Sequence, residues 1–292
     1  MATVIKSPMD NVAAQPEFPL IGELLLHEGT LTERDIARIV ATQREGSMRF
    51  GEAGRSLGLL HEHDVTRVLA RQFGYSYVVQ GGDSKLAADV FSARDPFSAR
   101  AEAIRGLRSQ LALTWFNERR RSLAVVGSDP DAGSSIVAAN LAIAFAQLGE
   151  RTLLIDASLR SPNQQTLFGI AKADGLSSIL AGRSSFKNAL SSVEEFPQLS
   201  LLCAGPYVPN PQELLSRISF AYLMETVPAS FDVVIVDAPP VLDFADAQII
   251  AAKAGGCLLV ARRHRTRLAD LERSRSQLEA SGSLLLGTVL ND

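Results

Sequence analysis

The chain has 292 residues, of which 46% are hydrophobic and 21% charged, so it has enough apolar residues for a sizeable core and is not disordered as a whole. At about 150 residues per domain, its length predicts two domains. A net charge of −3 does not demand a nucleic acid as partner, and none is expected. Because no apolar run reaches membrane-spanning length and the first residues do not resemble a signal peptide, we expect a cytoplasmic protein.

The first part of the chain is predicted to be a tail followed by a helical repeat. Residues 1–17 are polar and proline-containing without periodicity, which is typical of a flexible tail. Residues 18–80 align with themselves at an offset of 29, with turns predicted at Gly29 and Gly58, each between two helices. One helix pair cannot bury its apolar stripe, so the two copies are expected to pack together. The segment 81–97 begins with glycines and polar residues and is predicted to be a linker.

Residues 98–292 show a different pattern. After a helical stretch, short runs rich in Val, Ile and Leu alternate with helical segments from Ser122 onwards. Strands that are apolar on both faces belong to a buried parallel sheet with helices outside. The predicted fold class is therefore α/β, a mostly parallel sheet flanked by helices and preceded by a small helical domain. In such sheets, ligands bind beyond the carboxyl ends of the strands.

The loop after the first predicted strand has the pattern of a phosphate-binding loop. Backbone N–H groups in such a loop, together with the positive end of the following helix, bind phosphate oxygens. A Walker A loop ends in Gly-Lys-Ser/Thr; here Gly133 and the Mg²⁺-binding hydroxyl of Ser135 are present, but Ser134 replaces the lysine. Taken alone, this segment is a weak match to the motif and favours an ordinary Gly-Ser turn. The candidate phosphate-binding residues are Ser128, Asp129, Pro130, Asp131, Ala132, Gly133, Ser134 and Ser135.

Two further predicted strands end in carboxylates. TLLID ends at Asp156, with Arg160 four residues later, and FDVVIVD ends at Asp237. Such a carboxylate is the usual Walker B partner of Mg²⁺, although each one alone would also fit a helix cap. The three segments in this order are hard to obtain by chance. We therefore expect one site, with Asp156, Arg160 and Asp237 as catalytic candidates and Ser135, Asp156 and Asp237 as magnesium ligands.

The segments AANLA, GERTLLIDASLRSP, AGPYVPNPQELL, FDVVIVDAPPVLD and GTVLN, in this order, resemble the bacterial tyrosine kinases of the capsule and exopolysaccharide machinery. Those kinases are P-loop proteins of the MinD/ParA type, and the resemblance covers about residues 98–292. The repeat is similar to the N-terminal domain of type II secretion and pilus ATPases. Together the two parts resemble the chain-length-determinant tyrosine kinases of exopolysaccharide clusters, the EpsG type. The resemblance implies ATP and Mg²⁺, and a membrane polysaccharide co-polymerase (chain-length determinant protein) as partner.

The resemblance also implies roles for residues outside the strand ends. Asn291 matches a late asparagine of the family that lies near the nucleotide base. Glu102, Arg105 and Arg108 match the E-x-x-R-x-x-R motif with which the family packs subunits into a ring, which implies a homo-oligomer. A salt-bridged helix face would explain the same triplet.

Two departures from the family pattern concern the chemistry. Ser134 replaces the Walker A lysine, and Ser158 replaces the second aspartate of the Walker A′ motif, of which Asp156 and Arg160 are present. The tyrosine-rich C-terminal tail of the family is also absent. An active tyrosine kinase and a regulatory pseudokinase, which binds nucleotide weakly or not at all and docks on the co-polymerase, both remain open. A partitioning-type ATPase is disfavoured by the AGPYVPNP segment.

The N-terminal repeat carries a separate ligand prediction. Some relatives of that domain bind cyclic di-GMP through a spaced motif, which Arg49, Gly51, Gly58 and Gln72 match in the second copy. A docking or structural module is the alternative.

Overall fold

The computed structural model describes residues 21–61, 64–65, 68, 76–78, 84–171 and 174–292. The chain divides into two compact units, residues 1–76 and 77–292. The predicted tail of residues 1–17 and the candidate ligand Gln72 lie outside the described residues.

The first unit contains the helices α1 (Ile21–His27), α2 (Glu33–Gly46) and α3 (Phe50–Ser56). Gly29 and Gly58 follow α1 and α3 in left-handed conformation, with φ of 71° and 67°, which suits glycine because it has no Cβ. The small apolar core is drawn from both copies of the repeat: Leu25, Leu31, Ile39, Ala53, Leu60 and Val68. The two copies therefore pack together, as the sequence predicted.

Equivalent hydrogen bonds start the second helix of each copy. Thr32 N donates to the Asp35 carboxylate at 3.0 Å, and Asp35 N donates back to the Thr32 hydroxyl at 3.3 Å. Twenty-nine residues later, His61 N donates to the Asp64 carboxylate, also at 3.0 Å. These aspartates satisfy N–H groups that a helix start leaves without partners. The sequence repeat is thus a structural repeat.

The second unit is built on a seven-stranded sheet in the order β3-β4-β2-β5-β1-β6-β7, parallel except for the antiparallel edge strand β3. The strands are β1 Ser122–Gly127, β2 Thr152–Asp156, β3 Ser191–Val193, β4 Phe196–Leu202, β5 Val233–Ala238, β6 Gly256–Arg262 and β7 Leu284–Asn291. The helices are α4 Phe91–Arg94, α5 Ala99–Thr114, α6 Ser134–Gln147, α7 Gln164–Leu167, α8 Leu176–Leu180, α9 Phe186–Ala189, α10 Pro211–Leu215, α11 Ile218–Thr226, α12 Asp246–Ala254 and α13 Leu268–Ala280. The predicted α/β fold class is confirmed.

The central strands are buried on both faces. In β1, Leu123 and Val125 belong to one hydrophobic cluster, whereas Ala124 and Val126 belong to another. Successive side chains of a strand point to opposite faces, so the two clusters are the cores above and below the sheet. This explains why the strands read as continuous apolar runs. Among the described helices, none is both long and apolar enough to cross a membrane.

The segment that precedes α5 packs on the larger unit. The buried Asn140 of α6 accepts a hydrogen bond from Ser92 N at 2.7 Å and donates one to Asp89 O at 2.9 Å. Ala87 N donates to Leu167 O at 2.8 Å. Residues 84–97 of the predicted linker therefore belong to the second unit, because their polar groups are satisfied by its helices.

Candidate functional site

Asp156 and Asp237 lie side by side at one edge of the sheet. Their strands, β2 and β5, are parallel neighbours, and the register pairs the two residues directly. Both side chains are fully buried. The Asp156 carboxylate accepts main-chain hydrogen bonds from Ser158 at 3.1 Å and from Asn163 and Gln164 at 3.0 Å each. The strand ends thus bring together two carboxylates that are 81 positions apart in the sequence.

The side chain of Gln164 bridges Asp237 and the phosphate-binding loop. Its Nε2 donates to Asp237 Oδ2 at 2.7 Å and to the main-chain oxygen of Ser135 at 3.0 Å. Asp237 Oδ1 and Gln164 Oε1 are buried and have no hydrogen-bond partner. No sequence motif identified Gln164, because its hydrogen bond to Asp237 depends on how α7 packs against the strand ends.

The environment of both carboxylates disfavours their charged forms. Burial raises the pKa of Asp237 to about 8, and the nearby charge of Asp156 adds to the rise, while hydrogen bonds from Gln164 and Ser135 oppose it. Burial likewise raises the pKa of Asp156 to about 6, against the three main-chain hydrogen bonds. Two neighbouring buried acids whose pKa values are both raised are typical of a functional site.

These groups fit a magnesium ion. Mg²⁺ is held by oxygen ligands, usually one or two carboxylates together with phosphate oxygens. The unpartnered Oδ1 of Asp237 is a buried acceptor of this kind, and a cation beside it would favour the charged carboxylates. The residues that would hold the ion are Ser135, Asp156 and Asp237.

The loop after β1 leads through a left-handed glycine into a helix without a side-chain cap. It begins at the buried Ser128 and ends at Gly133, whose φ of 80° is left-handed. A Cβ on Gly133 would clash with the side chain of Asn291, which donates from Nδ2 to Ala132 O at 3.1 Å. Ser134 begins α6, and no side chain caps this helix. Its first-turn N–H groups and positive end are therefore suited to a phosphate.

The segment after β6 contacts this loop, and no sequence motif predicted that contact. The Thr266 hydroxyl donates to the Asp129 carboxylate at 2.7 Å. Arg262 Nη1 donates to Asp131 O at 3.2 Å, and Arg265 Nη1 pairs with the Asp131 carboxylate at 3.3 Å. These contacts arise because β6 is the parallel neighbour of β1, so both strands end at the same edge of the sheet.

Arg160 lies at the same edge but pairs elsewhere. Its Nε donates to the buried carboxylate of Asp246 at 2.8 Å, and its guanidinium lies 4.5 Å from the ring centre of Phe244. Ser158 donates its hydroxyl to Ser161 O at 3.2 Å. The ion pair with Asp246, the first residue of α12, was also missed from the sequence.

The candidate oligomerisation residues lie on α5. Arg105 Nε donates to the Glu102 carboxylate at 2.8 Å, and Arg108 donates to Ala144 O of α6 at 3.1 Å. The Glu102 side chain is 70% exposed. Arg105 and Arg108 thus make contacts within their own unit, while Glu102 faces outward.

The candidate cyclic di-GMP residues are only partly described. Arg49 immediately precedes α3. A Cβ on Gly51 would come within 2.7 Å of Val65, and Gly58 occupies the left-handed turn. Both glycines therefore have a structural explanation without a ligand, close packing for Gly51 and backbone conformation for Gly58. Gln72 lies outside the described residues, and the ligand stays a prediction.

Comparisons with known proteins agree with this geometry. A family model described as "AAA domain" matches residues 124–261. The tyrosine-protein kinase YwqD of Bacillus subtilis (strain 168) is 36% identical to this chain over 208 residues, which cover 71% of this chain and 87% of YwqD.

Solved structures give the same result. The kinase domain of the Escherichia coli tyrosine kinase ETK superposes with a TM-score of 0.69 at 31% identity, covering 73% of this chain and 83% of that domain. The septum site-determining protein MinD, complexed with Mg-ADP, from Pyrococcus horikoshii OT3 superposes with a TM-score of 0.52 at 21% identity, covering 59% and 70%, which shows the shared MinD-type fold. The extent and identity of these matches show that the chain belongs to the family of bacterial tyrosine-protein kinases.

Proposed function

We propose that this protein is a cytoplasmic, ATP-dependent protein-tyrosine kinase-like regulator of exopolysaccharide polymerisation, chain length and export. The observation that carries the proposal is the buried pair Asp156 and Asp237, with an unpartnered oxygen on Asp237, beside an uncapped helix start. A triphosphate with Mg²⁺ supplies what this arrangement lacks, a positive charge for the carboxylates and an anion for the N–H groups.

Each residue has a defined part in this proposal. The main-chain N–H groups at the end of the loop, on Gly133, Ser134 and Ser135, bind the phosphates, since those of Ser128 and Ala132 donate to Val260 O and Asp129 O. Asn291, which lies beside the loop, contacts the base. Ser135, Asp156 and Asp237 hold Mg²⁺, which when bound neutralises charge on the phosphate oxygens. Asp156 also orients the tyrosyl hydroxyl that accepts the phosphoryl group. Gln164 keeps Asp237 directed towards the loop through its 2.7 Å hydrogen bond.

The serine at position 134 limits the rate that we expect. A lysine about 4 Å from a γ-phosphate oxygen contributes up to roughly 4 kcal/mol at an effective dielectric of 20. If this contribution is confined to the transition state, its absence slows phosphoryl transfer about a thousandfold. Nucleotide binding should survive better than catalysis, because the magnesium ligands and the N–H groups are present.

A second candidate function is a pseudokinase that regulates by docking. Ser134 and Ser158 favour it, since both stand where the family carries charged catalytic side chains. In either case we propose a membrane polysaccharide co-polymerase as partner and a homo-oligomeric state. The support for both is the family resemblance, together with the outward-facing Glu102 of α5.

A phosphotyrosine assay on the full chain separates the two candidates. The protein is incubated with labelled Mg-ATP and a synthetic Glu–Tyr copolymer, beside Asp237→Asn, Ser134→Lys and the control Asp243→Asn, which changes an exposed carboxylate. The kinase candidate predicts slow incorporation that Asp237→Asn abolishes, that Asp243→Asn leaves unchanged and that Ser134→Lys raises up to about a thousandfold.

If neither the parent nor Ser134→Lys forms phosphotyrosine, the kinase candidate is wrong. Calorimetric titration of Mg-ATP then decides between the two forms of the pseudokinase. Binding by the parent indicates a nucleotide-binding regulator. Binding by Ser134→Lys alone indicates an intact pocket that has lost its charge and a regulator that works without nucleotide.

A further inference from the structure

Two arginines from outside the Walker motifs touch the phosphate-binding loop. They belong to the segment Arg-Arg-His-Arg-Thr-Arg, residues 262–267, which begins at the end of β6. Arg262 donates to the main-chain oxygen of Asp131 at 3.2 Å, and Arg265 pairs with the Asp131 carboxylate at 3.3 Å. Neither residue is part of a motif that the family resemblance identified.

The segment is fixed against the loop by Thr266. The Thr266 hydroxyl accepts a hydrogen bond from Arg262 N at 2.9 Å and donates one to the Asp129 carboxylate at 2.7 Å. Thr266 N donates to Arg262 O at 2.9 Å, which closes a tight turn, and His264 within it has a left-handed φ of 61°. The turn therefore holds the two guanidinium groups at the loop rather than leaving them on a free segment.

The carboxylates of the site favour positive charge beside the loop. Asp129 and Asp131 lie in the loop itself, Asp156 and Asp237 lie at the same edge of the sheet, and position 134 carries serine. Mg²⁺ would offset part of this negative charge for an entering polyphosphate, and a protein cation in place of the missing lysine would offset more of it. A guanidinium presents a planar fork of donors that matches two phosphate oxygens.

We propose that Arg265, assisted by Arg262, supplies the positive charge for the nucleotide phosphates that a lysine at position 134 supplies in a Walker A loop. In this proposal, which rests on nucleotide binding as proposed above, Asp131 keeps Arg265 at the loop until phosphate oxygens take over its guanidinium. A purely structural role explains the pair less well. The side chains of Arg265 and Asp131 are 62% and 72% exposed, and an ion pair so exposed contributes little to stability.

The test is a calorimetric titration of the full chain with Mg-ATP and, separately, with inorganic tripolyphosphate and Mg²⁺. The variants are Arg265→Ala, Arg262→Ala, Asp131→Asn and the control Arg273→Ala, which removes an equally exposed arginine paired with Asp270 on α13. We expect Arg265→Ala to lower the affinity for both ligands about tenfold. Arg262→Ala should lower it less. The Asp131→Asn variant should bind both ligands severalfold more tightly, because no carboxylate then competes with the phosphates for Arg265. The affinity of the Arg273→Ala variant should equal that of the parent.

A rescue experiment asks whether the arginine and the lysine are interchangeable. Adding Ser134→Lys to Arg265→Ala should restore the affinity to at least that of the parent. The affinity of Arg265→Ala should also depend less steeply on salt concentration than that of the parent, since one charge contact is gone.

The outcomes separate this proposal from the proposed function. If the parent binds both ligands and Arg265→Ala and Arg262→Ala bind equally well, the arginine proposal is overturned and nucleotide binding stands. If the variants lose affinity for ATP but not for tripolyphosphate, the arginines contact the base or ribose, and the arginine proposal is also overturned. If the parent binds neither ligand, nucleotide binding itself fails and the arginine proposal fails with it.

Discussion

At the residue scale, Asp237 is an acid of the site that is only partly satisfied. Its Oδ2 is bonded to Gln164, but Oδ1 is buried without a partner and Asp156 lies beside it. An unsatisfied buried polar group destabilises a fold by about 1–3 kcal/mol, and more when it is charged. The site is therefore organised for a ligand at the expense of the stability of the ligand-free protein, a pattern that functional sites often show.

This arrangement predicts how stability depends on pH. The pKa of Asp237 is raised from 3.8 to about 8, so the folded state binds a proton that the unfolded chain releases. The stabilisation is present at low pH and is lost as the pH rises from about 4 to about 8. We expect Asp237→Asn, which mimics the protonated acid, to be more stable than the parent by about 1–3 kcal/mol at pH 8 and similar to it near pH 4.

Urea unfolding at a series of pH values measures this difference. Asp243→Asn, at an exposed carboxylate, serves as the control and should show no such trend. Saturating Mg²⁺ should reduce the stability difference at pH 8, because the cation stabilises the charged carboxylate of Asp237, which only the parent has. A difference between Asp237→Asn and the parent that is the same at all pH values would contradict the assignment.

At the scale of elements, α6 connects the site to the rest of the unit. Its first turn faces the loop, and three residues beyond that turn the buried Asn140 holds the segment before α5 through Ser92 and Asp89. Asn140 also donates to Ile136 O within the helix, at 2.8 Å. A single polar side chain in an apolar helix thus satisfies main-chain groups of a segment that has little regular structure of its own.

We expect Asn140→Ala to lower the free energy of unfolding by about 2–4 kcal/mol, since it leaves the buried Ser92 N–H and the Asp89 carbonyl without these partners. Urea denaturation with far-ultraviolet circular dichroism measures this loss. The matched control is Asn188→Ala, an exposed asparagine of α9, which should change stability by less than about 0.5 kcal/mol. Equal effects of the two substitutions would show that the hydrogen bonds of Asn140 do not anchor the segment.

At the scale of the whole molecule, the proposed homo-oligomer would form through the exposed face of α5. Glu102 is 70% exposed, and Leu113, further along the same helix, is 88% exposed. The pair of Glu102 with Arg105 contributes only a few tenths of a kcal/mol within the helix. Removing Glu102 should therefore affect assembly far more than folding.

We predict that Glu102→Ala lowers the sedimentation coefficient of the full chain at a given concentration, because a partner subunit loses its acidic contact. Asp270→Ala is the control, since it removes a partly exposed acid that pairs with an arginine three residues later on α13. Analytical ultracentrifugation of both variants and the parent measures the effect. An unchanged distribution for Glu102→Ala would mean that the triplet is only a salt-bridged helix face.

The comparison of sequence and structure shows which kinds of contact a sequence can predict. The strand ends Asp156 and Asp237, the loop from Ser128 to Ser135 and the repeat with its turns at Gly29 and Gly58 all follow from local patterns. Apolar runs, glycine turns and helix-start residues act through the nearest few residues, so their signals are contained in short segments. Strands buried on both faces also determined the fold class.

Other features were decided only by the order of strands in the sheet. Asp156 meets Asp237 because β2 lies next to β5, and Arg265 reaches Asp131 because β6 lies next to β1. Gln164 reaches Asp237 across 73 positions for a similar reason. Nothing in a local pattern encodes such pairings, since they result from the packing of the whole sheet and its helices. The sequence by itself thus determined the elements and the reactive groups at their ends, and the tertiary structure decided which of these groups meet.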